Sequence, residues 1–137
     1  MEKYKNIKWE NDFSVNNPVI DEEHKGLLKI YNNIIDSLKD EDKDFHIVNV
    51  LTDLTNYSLK HFKSEEDWML KIQYPDFEPH QRSHKDFIYR IAMFNLSYNP
   101  EDTEMLFEIL SFLRLWIIDH LKTCDKKIAL YKIEIEK

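Results

Sequence analysis

Four long segments of this chain carry apolar residues at three- and four-residue steps, the period at which side chains share one face of an α-helix. The first segment shows this in the series Ile20, Leu27, Tyr31, Ile34 and Leu38, with His24 at the same spacing. Turn-forming residues are scarce, with one glycine and four prolines in 137 residues, which argues against an all-β fold. The pattern therefore predicts an all-α protein.

Prolines and one charged run, 39–44, divide the chain into an N-terminal arm, 1–18, and four helices at about 19–38, 45–72, 79–96 and 100–122. Pro79 can occupy the first turn of the third helix, and Asn99 with Pro100 predicts the start of the fourth. The short connections favour an up-down-up-down four-helix bundle, a single domain over 1–137. We expect the arm to pack on the bundle through Trp9 and Phe13, whereas residues 126–137 alternate too irregularly for an assignment.

Charge and composition exclude several classes of function. A net charge of −7 argues against binding to nucleic acids or to anionic membranes. No apolar run is long enough to span a bilayer, and the polar residues 1–10 do not resemble a signal peptide. One cysteine excludes an internal disulfide framework. We therefore expect a cytoplasmic protein without membrane insertion, and the high surface charge favours a monomer.

The histidines stand where the core of a bundle should be apolar. Five of the six lie on or beside the predicted inner faces, and several are paired with a second polar residue four positions along the helix. Four-residue steps place such pairs about 40° apart on one helix face. The inward set with its acidic partners is His24, His61, Glu65, His80, His84, His120 and Asp125.

Each of these features has an ordinary explanation when taken alone. A single inward histidine is usually a hydrogen-bonded core residue, and a His–Glu pair on a helix is usually solvated. Together, five imidazoles and a carboxylate in one core would be costly to bury unless something satisfied them. A metal cluster does so, because imidazole and carboxylate groups ligate iron well. The competing interpretation is a structural bundle without metal.

The step from His120 to Asp125 does not fit a regular helix. Five residues rotate the chain by about 140°, so the two side chains cannot both point inward from ideal α geometry. Either the fourth helix ends near Cys124, or it contains a local π-bulge, a distortion often found at functional sites.

The spacing of these seven residues resembles the ligand signature of the hemerythrins. His61-x-x-x-Glu65, His80-x-x-x-His84 and His120-x-x-x-x-Asp125 follow His24 in the family's order. Neighbouring segments are also similar to bacterial hemerythrins, from Trp9 and Phe13-Ser14-Val15 in the arm to Trp116-Ile117-Ile118-Asp119 before His120. The resemblance covers nearly the whole chain.

The resemblance implies two iron ions joined by a bridging oxo or hydroxo group, with Glu65 and Asp125 bridging them. One iron would be fully coordinated and its partner five-coordinate, so that molecular oxygen binds reversibly there as a peroxide. The histidines of the full iron would be His80, His84 and His120, and those of the open iron His24 and His61.

An apolar pocket should protect such a site from water. Phe62, Trp116, Ile117 and Leu28 lie close in sequence to ligands and are candidate walls of the oxygen pocket, although ordinary core packing explains each of them equally well.

Several residues lie outside the signature or depart from it. Asn16-Asn17-Pro18 replaces the glycine that bacterial relatives usually have after the arm. We expect Cys124 not to be a ligand and His46 to be a surface residue of the second helix. Glu66 and Asp67 are expected on a solvated face.

Three functions are compatible with this interpretation. The first is a non-enzymatic carrier or store of oxygen, including delivery to an oxidase. The second is an oxygen or redox sensor, which the absence of room for a signalling module makes less favourable. The third is a di-iron enzyme or iron-handling protein that acts on peroxide or nitric oxide.

Overall fold

The structure is a computed structural model, which describes residues 5–40 and 46–137. It contains five α-helices in the described part of the chain: α1 (Pro18–Lys39), α2 (Ile47–Lys71), α3 (Phe77–Ser97), α4 (Thr103–Asp119) and α5 (Lys126–Ile135). A π-helical turn, His120–Asp125, joins α4 to α5. No strand is present among the described residues, which confirms the predicted all-α four-helix bundle.

The N-terminal arm is fastened to α1 by side-chain hydrogen bonds. Asn32 accepts from the backbone N–H of Ile7 and donates to its carbonyl, both at 2.8 Å. Asp21 accepts from the backbone N–H of Val15 at 2.8 Å. A short 3₁₀ turn, Asn11–Phe13, buries the Phe13 ring. The arm thus covers one side of the bundle with apolar side chains.

The start of α1 follows from local chemistry. Asn17 caps α1 by accepting from the backbone N–H of Ile20, and Pro18 takes the first helical position. Asn16 adopts a positive φ of 56°, which asparagine tolerates better than most residues. The predicted start of α2 at Phe45 and most of the predicted loop, 41–44, lie outside the described residues.

A Schellman motif ends α2. Gln73 adopts a φ of 55°, and the backbone N–H groups of Tyr74 and Gln73 donate to the carbonyls of Met69 and Leu70. Pro75 follows at once. The next helix, α3, begins at Phe77 rather than at the predicted residue 79, so Pro79 is its third residue. Proline is tolerated there because the backbone N–H groups of the first helical turn have no acceptor within the helix, so no hydrogen bond is lost.

The predicted range of the fourth helix, 100–122, is wrong at both ends. Asn99 and Pro100 belong to a preceding turn, and Asp102 is the cap, accepting from the backbone N–H of Met105 at 3.0 Å. At the other end, the π-turn keeps the backbone helical and α5 continues it to Ile135.

The helix α5 could not be predicted from the sequence, because a helix with few buried residues has no long apolar stripe. Only Ile128 and Ala129 are buried there, so its apolar residues do not form a long stripe. These two side chains pack with the arm and the α2–α3 turn in a second, smaller core, which consists of Val15, Ile20, Trp68, Met69, Tyr74, Ile128 and Ala129.

No helix in the described ranges is long and apolar enough to cross a membrane. The consecutive bundle helices are separated by short connections, and the inner faces of all four meet in one main core. The seven polar residues identified from the sequence lie within this apolar interior.

Candidate metal centre

The first three bundle helices and the π-turn that follows α4 contribute to one buried polar cluster. The four contributions are His24 from α1, His61 and Glu65 from α2, His80 and His84 from α3, and His120 and Asp125 from the two ends of the π-turn. Their exposure lies between 0% and 6%, and His80 is the most accessible of the seven. The structure therefore brings together every residue that the sequence nominated as a metal ligand.

The seven residues form two overlapping groups. One contains three histidines and the other two, and Glu65 and Asp125 belong to both. Within each group the potential ligand atoms all lie within 4.8 Å of one another. This division into three and two histidines is the one that the family resemblance implied.

Glu65 directs one carboxylate oxygen to each group. Its Oε2 atom lies 2.8 Å from Nε2 of His24 and 3.0 Å from Nε2 of His61. Its Oε1 atom lies 2.9 Å from Nε2 of His84 and 3.4 Å from Nε2 of His80. A carboxylate arranged in this way can bridge two ions.

Asp125 is divided between the groups in the same manner. Its Oδ2 atom lies 3.0 Å from Nε2 of His24, and its Oδ1 atom lies 3.0 Å from Nε2 of both His80 and His120. The π-turn explains this reach, because its i→i+5 hydrogen bonds bring residues five apart onto one face. Of the two geometries that the sequence left open, the structure has the π-bulge.

Without a metal, the buried histidines and carboxylates of the cluster shift one another's pKa values. Burial acts to lower the pKa of His61, but Glu65 and Glu23 raise it to about 10. Burial acts in the same way on His80, and Asp125 and Glu65 raise its pKa to about 9. Burial would raise the pKa of Glu65, yet the surrounding imidazoles, His61 foremost, hold it well below its usual value. Metal binding must therefore displace protons from the imidazoles.

The buried atoms fit a pair of cations. Both carboxylate oxygens of Asp125 and the Nε2 atom of His61 are buried without a properly aligned hydrogen bond. The Nε2 atoms of His84 and His120 lie 3.1 Å apart. Bound cations would satisfy these convergent atoms, and a set of five imidazoles and two carboxylates is one that iron accepts.

Two glutamates outside this set accept hydrogen bonds from the ring nitrogens of ligand imidazoles that face away from the cluster. Glu23 accepts from Nδ1 of His61 at 2.8 Å, and Glu66 accepts from Nδ1 of His84 at 2.9 Å. The expectation that Glu66 lies on a solvated face is therefore wrong, because its carboxylate turns inward to the imidazole. Asp67, next to it, is exposed and pairs with Lys63 as a surface residue would.

The sequence contained a signal for these two residues. Glu23 directly precedes His24, and Glu66 directly follows Glu65, so each lies on the flank of a ligand-bearing helix face. Each glutamate contacts an imidazole on a neighbouring helix. Spacing along the sequence does not specify how close two helices lie, so it could not show which imidazole each glutamate reaches.

Aromatic side chains line the part of the cluster near α3 and the π-turn. The ring of Phe62 stacks on His84 with centroids 3.9 Å apart and planes within 4°. Trp116 stacks on His120 at 4.3 Å and 11°. Leu28 and Ile117 are buried in the main core. The role of these four residues as walls of an oxygen pocket stays a prediction.

Two further residues lie outside the ligand groups. His46 is exposed and precedes the first residue of α2, so it is a cap-position residue rather than part of that helix. Cys124 is half-buried and belongs to neither group of potential ligands.

A four-helix bundle with a buried histidine and carboxylate cluster defines a metal-binding helical protein. The family model described as the hemerythrin HHE cation binding domain matches residues 16–129. The chain is also 31% identical to the bacteriohemerythrin of Clostridium acetobutylicum over 123 residues, which cover 87% of this chain and 95% of that one.

More distant relatives agree with this match. The bacteriohemerythrin of Stenotrophomonas maltophilia is 25% identical, over 90% of this chain and 79% of its own. A hemerythrin of Sipunculus nudus is 26% identical, over 87% of each chain.

The chain belongs to the hemerythrin family. Membership supports, in general terms, a di-iron protein that binds oxygen. The histidine and carboxylate cluster agrees with a two-metal site, for which iron is the metal typical of the family.

Proposed function

We propose that this protein binds molecular oxygen reversibly at a di-iron centre and serves as a non-enzymatic oxygen carrier, store or delivery protein. The observation that carries the proposal is the unequal division of five histidines around two shared carboxylates. His80, His84 and His120 would hold one iron, and His24 with His61 would hold the other. Glu65 and Asp125 would bridge the pair together with a solvent-derived oxygen.

The unequal division supports binding of an external ligand. Three histidines with two bridging carboxylates and a bridging oxygen would complete six positions, whereas two histidines with the same bridges would leave one position open. When bound, the two ferrous ions supply the electrons that oxygen binding requires. The protein's own contribution is to hold this donor set and to restrict access to it.

The surroundings of the cluster favour retention of the reduced state. Neutral imidazoles outnumber carboxylates by five to two among the candidate ligands, which stabilises ferrous iron relative to carboxylate-rich sites. Phe62 stacks on the His84 ring and Trp116 on the His120 ring, and Ile117 is buried in the main core. By excluding water, these apolar groups would allow bound oxygen to leave without irreversible oxidation of the iron.

The test is spectroscopic and uses the intact chain. Anaerobically reduced protein loaded with iron should contain two irons per chain, develop a visible charge-transfer band on exposure to oxygen, and lose the band when oxygen is removed. His24→Ala should abolish the band and reduce the iron content. The matched control is His46→Ala, which removes an exposed histidine outside the cluster and should leave both unchanged.

Other results would contradict the proposal. Rapid, irreversible conversion to the ferric protein would exclude the carrier function and favour a sensor or an enzyme that acts on peroxide or nitric oxide. Fewer than two irons per chain, or a normal band in His24→Ala, would exclude the assigned ligands.

A further inference from the structure

The two glutamates behind the cluster share one arrangement. Each follows or precedes a candidate ligand on its own helix and reaches an imidazole of the next helix: Glu23 on α1 reaches His61 on α2, and Glu66 on α2 reaches His84 on α3. The side chains of Glu23 and Glu66 are 28% and 22% exposed, while those of the imidazoles are 1% and 2% exposed. Each carboxylate therefore connects a buried imidazole with the solvent boundary.

Both carboxylates are fixed by a second contact. Ser64 donates to Oε2 of Glu23 at 3.0 Å, and Gln81 donates to Oε1 of Glu66 at 2.9 Å. In each case the other carboxylate oxygen is the one that faces the imidazole. Two-point contacts hold the carboxylates in place, so they can set the plane of the rings rather than follow it.

The contacts determine which nitrogen of each ring points to the cluster. A carboxylate only accepts hydrogen bonds, so Nδ1 of His61 and of His84 must carry the proton. The lone pair of each neutral ring is then on Nε2, the atom that lies among the potential ligand atoms. A carboxylate behind a ligating imidazole also increases its basicity as a donor.

The two contacts fall on different metal positions. His61 belongs to the group of two histidines and His84 to the group of three. His24 provides a contrast, because its Nδ1 atom is buried without a hydrogen-bond partner. Each candidate metal position therefore includes one imidazole that is hydrogen-bonded to a glutamate.

We propose that Glu23 and Glu66 are positioning residues of the di-iron centre, which fix the ring orientation of His61 and His84 and strengthen both as metal donors. The proposal rests on the proposed function for the identity of the metal. It adds that each metal position depends on a carboxylate that does not touch the ion.

The test replaces each glutamate by the isosteric glutamine, because Glu23→Gln and Glu66→Gln keep a hydrogen-bond acceptor but remove the charge. Anaerobic titration of the metal-free protein with Co²⁺ alone, followed by its visible absorption, measures the affinity without oxygen. Each variant should bind Co²⁺ about 10–100-fold more weakly than the parent chain. The control Asp67→Asn removes a neighbouring exposed acid of α2 and should change the affinity by less than about threefold.

A second readout separates positioning from mere support of the fold. The midpoint potential of the iron-loaded protein should rise in both glutamine variants, because a weaker imidazole donor stabilises ferric iron less. Both glutamine variants should still unfold in a single cooperative urea transition when metal-free, which shows that the fold is retained. Unchanged Co²⁺ affinity and unchanged potential in both glutamine variants would overturn the proposal.

A measurement on the unaltered chain covers the case in which a variant does not fold. In the Co²⁺-loaded protein, proton NMR should show the Nδ1–H protons of His61 and His84 protected from exchange with solvent. Rapid exchange of both would overturn the proposal. None of these experiments uses oxygen, so a protein that passes them but fails to bind oxygen reversibly would contradict the proposed function alone.

Discussion

Gly26, the only glycine of the chain, lies inside α1 where the hydroxyl of Tyr57 crosses from α2. That hydroxyl donates to the backbone carbonyl of Glu23 at 2.6 Å. A Cβ atom added at Gly26 would overlap the hydroxyl oxygen and would lie 2.9 Å from Cζ of the same ring. Gly26→Ala must therefore displace the Tyr57 ring and break its hydrogen bond.

Two opposing effects determine the free energy of unfolding of Gly26→Ala. Alanine is favoured over glycine inside a helix by about 1 kcal/mol. Against this, overpacking costs about 1–3 kcal/mol, and the lost hydrogen bond costs about 0.5–1.5 kcal/mol. The steric and hydrogen-bond costs are larger, so the variant should be destabilised by roughly 1–3 kcal/mol.

Urea unfolding of the metal-free protein, followed by far-UV circular dichroism, measures this change. The decisive control repeats the substitution in a Tyr57→Ala background, where no ring occupies the space. There Gly26→Ala should stabilise the protein by about 1 kcal/mol, so the sign of its effect reverses. A Gly26→Ala variant more stable than the parent chain, or a destabilisation of equal size in both backgrounds, would refute the reasoning.

Three further predictions concern charge, capping and packing. Because the pKa values of His61 and His80 rise from 6.5 to about 10 and about 9 on folding, their contribution to stability is fully present below pH 6.5 and is lost as the pH rises through these values. The melting temperature of the metal-free protein should fall between pH 6.5 and about 10, and a constant value would contradict this assignment. Asp102→Ala should destabilise the protein by about 1 kcal/mol in urea unfolding, because α4 loses its cap, whereas Glu101→Ala should have little effect. Ile117→Ala should cost about 2–5 kcal/mol and should accelerate irreversible oxidation of the iron-loaded protein, measured by loss of the oxygen-dependent band; an unchanged rate would exclude a water-excluding role.

The prediction of the fold succeeded where the signal was local. Asn17 and Pro18 mark the start of α1 as their chemistry requires, and the helical period of the apolar residues identified all four bundle helices. The prediction failed where local signals were ambiguous. Asn99 and Asp102 are both good caps, and only the observed hydrogen bond of Asp102 shows which one begins α4.

The seven residues of the cluster could be identified from the sequence because the helical repeat determines which side chains lie on the same face. Side chains four residues apart on a helix must share a face, whatever the rest of the protein does. The same geometry showed that His120 and Asp125 could not belong to a regular helix. The sequence alone therefore determined the bundle, the nominated residues and the presence of an irregularity near Asp125.

Only the tertiary structure decided the relations between helices. It places one oxygen of Glu65 and of Asp125 in each group of histidines, turns Glu66 inward to His84, and carries the chain through a π-turn into α5. These features depend on distances of about 3 Å between side chains on different helices. Spacing along one helix specifies which face a residue occupies, but the packing of its neighbours specifies what it meets there.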